Sequence, residues 1–170
     1  ELIGDSLTVR INFGPGWWEY RLSRVTNSPV VGNWKLGFAG VGPAAGDTSW
    51  FSIADTGADG PRACWFDDIY HFGDDGTFQN FQDGDTWVES WQDDATDGCR
   101  PPIAPHDGSN AGAWYYDEVA GTVRLDGVGS FLGIAKAVNG AELADPADAP
   151  PFVTYEVVEV VGDSMTVRIN

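Results

Sequence analysis

The segment VTYEVVEVVGDSMTVRIN, residues 153–170, has the pattern that decides the fold of this chain. Two runs rich in β-branched residues lie on either side of the linker VGDS, residues 161–164. Glycine and aspartate in such a linker adopt the backbone angles that a tight hairpin turn needs. The segment is therefore predicted to form two neighbouring antiparallel strands.

Runs of the same kind occur along the whole chain, and no stretch of helical length keeps a 3.6-residue period; residues 139–148 form at most one or two helical turns. The linkers GDDGT (73–77) and QDGD (82–85) are also predicted hairpin turns. The sequence therefore predicts an all-β protein. We expect a closed, antiparallel up-and-down barrel of about eight to ten strands, because closure removes the edges of the sheet. A β-sandwich is the alternative.

A repeated phrase gives the predicted domain organisation. ELIGDSLTVRIN (1–12) recurs as EVVGDSMTVRIN (159–170), which is typical of tandem repeats. FGPGWWEYRLSRV (13–25) follows the first copy and is predicted to be the closing strand of a barrel. Residues 1–25 are then the final strands of a preceding repeat, or permuted closing strands, and 28–170 are a barrel repeat that lacks its last strand. The residues predicted to lie at the junction between units are Phe13, Trp17, Trp18, Tyr20, Met165, Val167 and Ile169.

Four segments together resemble bacterial lipocalin-like domains: VVGNWKL (30–36), IYHFGDDGTFQN (69–80), GTVRLDGV (121–128) and residues 153–170. In that family a GxW strand opens the barrel, a Tyr/Phe strand turns through DGT, and a YEV strand leads into the last hairpin. The resemblance implies a lipocalin-like barrel. The phrases GDTSWFS, CWFDD and TWVESWQ also resemble Trp-rich modules of secreted bacterial polysaccharide-processing proteins, which implies a location more than an activity.

Composition excludes several partners. The formal net charge is −17, with 26 acidic against 9 basic groups, so a nucleic-acid phosphate backbone would meet no basic face. No apolar run approaches the roughly 18 residues that a membrane-spanning helix needs, so membrane insertion is not expected. The length of 170 residues suits one hydrophobic core.

The two cysteines, Cys64 and Cys99, have neither CxxC spacing nor a Cys/His cluster that would indicate zinc. They are predicted to form one disulfide, which would stabilise the fold by about 4 kcal/mol in the chain-entropy model. A disulfide predicts an oxidising compartment, and the protein is expected to be secreted or on the cell surface. Because the sequence has neither an initiating Met nor a signal-like segment, we expect a mature product or a fragment.

Aspartate-rich turns are the candidate metal sites. Calcium binds six to eight oxygens, which turns such as DDG and DGD supply from side chains and backbone. Ordinary turn chemistry is the alternative reading, and the EF-hand spacing is absent. The candidate calcium ligands are Asp74, Asp75, Asp83, Asp85, Asp93, Asp94 and Asp97.

The chain has eight Trp residues, and several stand beside acidic or polar groups. Indole rings stack on the apolar faces of sugars while carboxylates and amides bind the hydroxyls, so the pattern indicates a glycan site. The alternative is that these rings fill the barrel interior. The candidate glycan-binding residues are Trp50, Trp65, Trp87, Glu89, Trp91, His106 and Asp107.

Catalysis is not predicted. His106, Asp107 and Ser109 are close neighbours in one loop, and the chain contains no GxSxG nucleophile elbow. The expected function is therefore that of a structural repeat module or subunit of an extracellular filament, stalk or adhesin. Its expected partners are copies of itself or adjacent repeats, joined by strand completion. The alternative is a carbohydrate-binding module of a secreted polysaccharide-processing protein, and calcium is the one cofactor considered.

Overall fold

The computed structural model describes residues 2–3, 6–12, 14–23, 28–93 and 95–170. Phe13 of the predicted junction and Asp94 of the predicted calcium ligands lie outside the described residues. The strands, in chain order, are β1 (Leu2–Ile3), β2 (Ser6–Asn12), β3 (Trp17–Ser23), β4 (Gly32–Lys35), β5 (Phe38–Val41), β6 (Phe51–Ala54), β7 (Ile69–Phe72), β8 (Thr77–Phe81), β9 (Thr86–Val88), β10 (Gly98–Arg100), β11 (Gly112–Asp117), β12 (Thr122–Asp126), β13 (Ala137–Val138), β14 (Ala141–Glu142), β15 (Phe152–Val161) and β16 (Ser164–Arg168). Helical structure in this part of the chain is limited to α1 (Ala63–Phe66) and a 3-10 turn (Pro146–Asp148).

The main sheet has seven strands in the order β16-β15-β12-β11-β8-β7-β4. Every neighbouring pair in it is antiparallel, and the sheet curls into a half-barrel. The prediction of an all-β, antiparallel fold is confirmed, and β15 and β16 form the predicted hairpin. A closed barrel is not observed among the described residues, because no pairing joins the two edge strands, β16 and β4.

Strand β3 explains the difference between the predicted barrel and the observed half-barrel. The sequence predicts that the segment 13–25 closes a barrel, but β3 pairs with β2, and β1, β2 and β3 form a small sheet of their own. The hairpin register runs from Ser6 opposite Ser23 to Asn12 opposite Trp17. The main sheet is therefore one strand short of the eight that let side chains fill a small barrel.

Alternation along the strands places the core on the concave side of the main sheet. On β12, and on the first four residues of β15, every second residue is buried, which is the two-residue period of a strand. Phe72 meets Phe78 and Trp114 edge to face, at centroid distances of 5.1 and 5.7 Å. The buried core comprises Val30, Tyr70, Phe72, Phe78, Val123, Leu125, Leu132, Val153 and Tyr155.

The smaller elements form two-stranded sheets that are separate from the main sheet. β5 pairs with β6 and β9 with β10, and the predicted disulfide between Cys64 and Cys99 is formed, joining α1 to β10. The bond fits a protein of an oxidising compartment. None of the helices in the described residues is long and apolar enough to cross a membrane.

Gly129 has a positive φ of 87°, and a Cβ atom there would lie 1.8 Å from the carbonyl oxygen of Pro105. Gly133 also has a positive φ, 70°, but nothing lies within 4 Å of its ideal Cβ position. Both glycines avoid the backbone penalty of a side chain, and Gly129 also avoids a clash with backbone.

We predict that Gly129→Ala destabilises the protein by several kcal/mol, whereas Gly133→Ala costs only about 1 kcal/mol. The difference arises from the backbone of Pro105, which must move to admit the methyl group. Urea unfolding followed by tryptophan fluorescence measures both values. Equal losses in the two variants would contradict the close packing of these loops.

Candidate functional site

Strand β16 is an open edge of the main sheet. Its inward residues Met165 and Val167, and Ile169 just beyond it, pack against the core. One side of β16 pairs with β15, and its other side has no strand neighbour among the described residues. An open edge presents unpaired N–H and C=O groups, so it is a template for another strand.

Strand β2 shows what this edge sequence pairs with. SLTVRIN (6–12) and SMTVRIN (164–170) differ only at Leu7/Met165, and the β2 copy pairs with β3 along its whole length. On one face of that hairpin Arg10 donates to Glu19 at 2.8 Å, and Arg21 donates to the other Glu19 oxygen at 2.8 Å. These two arginines lower the pKa of Glu19. The edge sequence therefore has a matching strand within the same chain.

The opposite face of the β2–β3 hairpin is apolar and exposed. Leu7 lies opposite Leu22, and Ile11 lies opposite Trp18. Trp18 stacks on Tyr20 with 6.2 Å between ring centroids, and Trp18 is 59% exposed. Contiguous exposed apolar surface on a soluble domain marks an interaction site. The matching positions of β16 face the core. The same apolar face is therefore exposed on β2 and packed against the core on β16.

The structure places the predicted junction residues in two groups. Trp17, Trp18 and Tyr20 belong to the hairpin, whereas Met165, Val167 and Ile169 belong to the edge of the main sheet. The two groups are in separate sheets of the chain. Sequence reasoning missed Leu22 and Glu19, although the two-residue period that starts at Trp18 would have found Leu22.

A second candidate site surrounds Arg62. Its guanidinium carbon lies 4.1 Å from the ring centroid of Trp87, 4.9 Å from that of Phe51 and 5.6 Å from that of Trp65. Such cation–π contacts are stronger where water is excluded. Trp65 is only 3% exposed, and its Nε1 donates to the carbonyl of Gly133 at 3.0 Å, so its ring is part of the interior.

Three of the predicted glycan-binding residues meet beside this cluster. Trp91 donates from Nε1 to Glu89 at 3.2 Å and lies edge to face with His106, with 5.7 Å between centroids. Asp107 accepts from the backbone N–H and hydroxyl of Ser109, at 3.1 and 2.6 Å, as a local turn. Trp50 is 70% exposed and precedes β6. The structure therefore brings Glu89, Trp91 and His106 together.

Buried polar atoms face a small cavity at the same place. Among the described residues, neither amide atom of Gln82 has a hydrogen-bond partner, and the same is true of Nε1 of Trp87 and Nδ1 of His106. Burial lowers the pKa of His106 and favours its neutral form. These three residues line a cavity of about 10 Å³, which has room for roughly one water molecule. Such a volume admits a single hydroxyl or water, and a larger group only after the walls move.

The predicted calcium ligands take part in local hydrogen bonds and ion pairs. Asp75 accepts from the backbone N–H and hydroxyl of Thr77 at 3.0 and 2.7 Å, which lowers the pKa of Asp75. Asp93 pairs with Arg100, and Asp97 accepts from the N–H of Ser90 at 2.7 Å.

Asp74 and Asp83 lie in exposed turns, and Asp85 lies near the disulfide. Among the described residues, the one group of three metal-ligating side chains is Cys64, Asp85 and Cys99, and the disulfide takes both sulfurs. Calcium binding stays a prediction.

Asp68 is a buried carboxyl that is not among the predicted calcium ligands. Its pKa is raised to about 7, first by burial and then by the nearby carboxylates of Asp67 and Asp85, while a hydrogen bond from Thr86 at 2.6 Å opposes the shift. The folded state therefore favours the protonated acid. Because the unfolded carboxyl has a pKa of 3.8, folding takes up a proton between about pH 4 and pH 7.

We predict that Asp68→Asn removes this pH dependence. In the wild type the free energy of unfolding falls as the pH rises from about 4 to about 7, by up to about 4 kcal/mol, because the buried carboxyl must then ionise. The amide of the variant cannot ionise, and its oxygen still accepts from Thr86. Urea unfolding at about pH 5 and about pH 8 measures the change.

The matched control is Asp163→Asn in the exposed turn between β15 and β16. It should leave the pH dependence of the wild type unchanged. The contribution of Asp68 is the difference between the free energies of unfolding of the wild type and of Asp68→Asn. A difference that is the same at both pH values would contradict the assignment to Asp68.

A comparison with known protein families, with curated proteins and with solved structures found no match to this chain. The resemblance to lipocalin-like domains therefore stays a prediction, and the function is argued from the geometry alone.

Proposed function

We propose that this chain is a structural repeat module or subunit of an extracellular filament, stalk or adhesin, and that strand completion at β16 joins neighbouring units. One observation carries the proposal. The same strand sequence occurs in β2 and β16, and its edge is covered by β3 in the first case and open in the second. A strand laid on β16 would supply the missing main-chain hydrogen bonds.

The disulfide supports an assembly outside the cell, and the net charge sets the salt conditions under which units associate. The disulfide is stable where thiols are oxidised, as they are outside the cell. The net charge of −17 makes units repel one another, so assembly depends on screening by salt. Salt screens the charge repulsion between units but leaves the main-chain hydrogen bonds of edge pairing in place. Added salt should therefore favour association without altering the fold.

We predict association that grows with protein concentration and with ionic strength. Sedimentation velocity of the wild-type chain at about 0.02 M and about 0.15 M salt should show larger species at the higher salt, where the Debye length falls to about 8 Å. A chain that sediments as a monomer at every concentration and at both salt levels would overturn the proposed function.

A second candidate function, carbohydrate binding, is favoured by the convergence of Glu89, Trp91 and His106 beside the unpartnered atoms of Gln82. Electrophoresis through gels that contain neutral or acidic polysaccharides tests it. Binding should slow the wild type and Trp17→Ala equally, since Trp17 belongs to the separate sheet of β1, β2 and β3, and should be lost in Trp91→Ala. Equal mobility of all three proteins in every gel would exclude this function for the polysaccharides used.

A further inference from the structure

We infer that the partner of the β16 edge is strand β3 of a second copy of this chain, docked in the register that β3 has with β2. This inference rests on the proposed function and names the partner of the same edge.

The register follows from the repeated sequence. In the hairpin, Leu7 lies opposite Leu22, Val9 opposite Tyr20, and Arg10 opposite Glu19. Replacing SLTVRIN by SMTVRIN changes only the first of these pairs, from leucine to methionine. The second copy would then place its Leu22 opposite Met165, its Tyr20 opposite Val167 and its Glu19 opposite Arg168. The exchange therefore replaces each β2 contact by one of the same kind.

The positions of the side chains on the two faces of β3 favour the exchanged state. Trp18, Tyr20 and Leu22 lie on one face of β3 and are exposed on the hairpin. Opposite β16 they would lie on the side of Met165 and Val167, which already pack against the core. Exposed apolar surface would thus be buried, while Trp17, Glu19 and Arg21 would stay on the outer face. Burial of large apolar side chains favours the exchanged state.

Strand direction permits the same strand to close the sheet. Six antiparallel pairings separate β16 from β4, so the two edge strands run in the same direction. A strand antiparallel to β16, as β3 is to β2, is therefore also antiparallel to β4. Seven strands plus one make eight, the number at which side chains fill the interior of a closed barrel.

The loop between β5 and β6 lies beside the end of β16. The guanidinium of Arg168, the last residue of β16, lies 3.3 Å from the position that a Cβ at Gly46 would occupy. Gly46 belongs to the connection between β5 and β6. The side chain of Arg168 therefore reaches this loop.

Disulfide trapping between two different chains tests the register. A chain with Thr166→Cys is mixed with a chain carrying Arg21→Cys and oxidised under non-denaturing conditions. Residues directly opposite each other in a sheet have Cα atoms about 4.5–5.5 Å apart, within the range that a disulfide spans. Heterodimers should form with this pair. The matched control, Thr166→Cys with Glu19→Cys, is two residues out of register and should give at least tenfold less product.

The outcomes separate the two proposals. Association of the wild type with equal trapping at Arg21 and Glu19, or with trapping of neither, overturns the inference and leaves the proposed function standing. A chain that carries both Thr166→Cys and Arg21→Cys and closes on itself, while the mixture gives no heterodimer, also overturns the inference, because the partner is then the chain's own β3. Absence of any association overturns both.

A pair of tryptophan variants tests the face. Trp18→Ser should reduce association at least tenfold, whereas Trp17→Ser, on the opposite face and 64% exposed, should associate like the wild type. Because Trp18 stacks on Tyr20 within the hairpin, thermal unfolding of both variants is measured as well, and association is compared at a temperature where both are folded. Equal effects of the two substitutions on association would overturn the assignment of Trp18 to the inner face.

Discussion

Main-chain hydrogen bonding at the edge of a curved antiparallel sheet is the constraint on which the rest of this structure depends. Each strand needs partners for its N–H and C=O groups on both sides. β2 finds them in β1 and β3, whereas β16, whose sequence differs only at Leu7/Met165, finds them in the described part of the chain only in β15. The sheet stays a half-barrel for that reason, and its apolar concave side is closed by side chains rather than by a further strand.

The region around the disulfide, unlike the apolar core of the main sheet, encloses several polar side chains. Arg62 is surrounded by aromatic rings, Asp68 favours its protonated form, and Gln82 has two unpartnered amide atoms. Unpartnered buried groups reduce stability, and the Cys64–Cys99 bond offsets such costs by restricting the unfolded chain. Polar groups retained at a stability cost are typical of sites that bind a ligand or titrate, which makes this region the second place to look for function.

Sequence patterns predicted local structure well and closure poorly. The alternation of residues 153–170 predicted a hairpin, which β15 and β16 form. Barrel closure depends on which of two nearly identical strands β3 pairs with, and identical sequences cannot distinguish the two choices. Trp65 was a candidate glycan ligand, yet a contact with Gly133, far along the chain, places it in the interior. The raised pKa of Asp68 could not be predicted from the sequence, because it follows from burial in the folded chain.

The amino-acid sequence by itself determined the strand character, two of the three predicted hairpins, the cysteine pair and the acidic surface, because each depends on residue type and on spacing over a few positions. The predicted hairpin turn at 82–85 was wrong, because β9 pairs with β10 and not with β8. Only the tertiary structure decided that β3 covers β2, that β16 is an edge, and that Glu89, Trp91 and His106 meet. These facts depend on pairing between distant segments. Such pairing is governed by the competition of whole strands for the same hydrogen bonds and the same apolar surface, which a local pattern does not record.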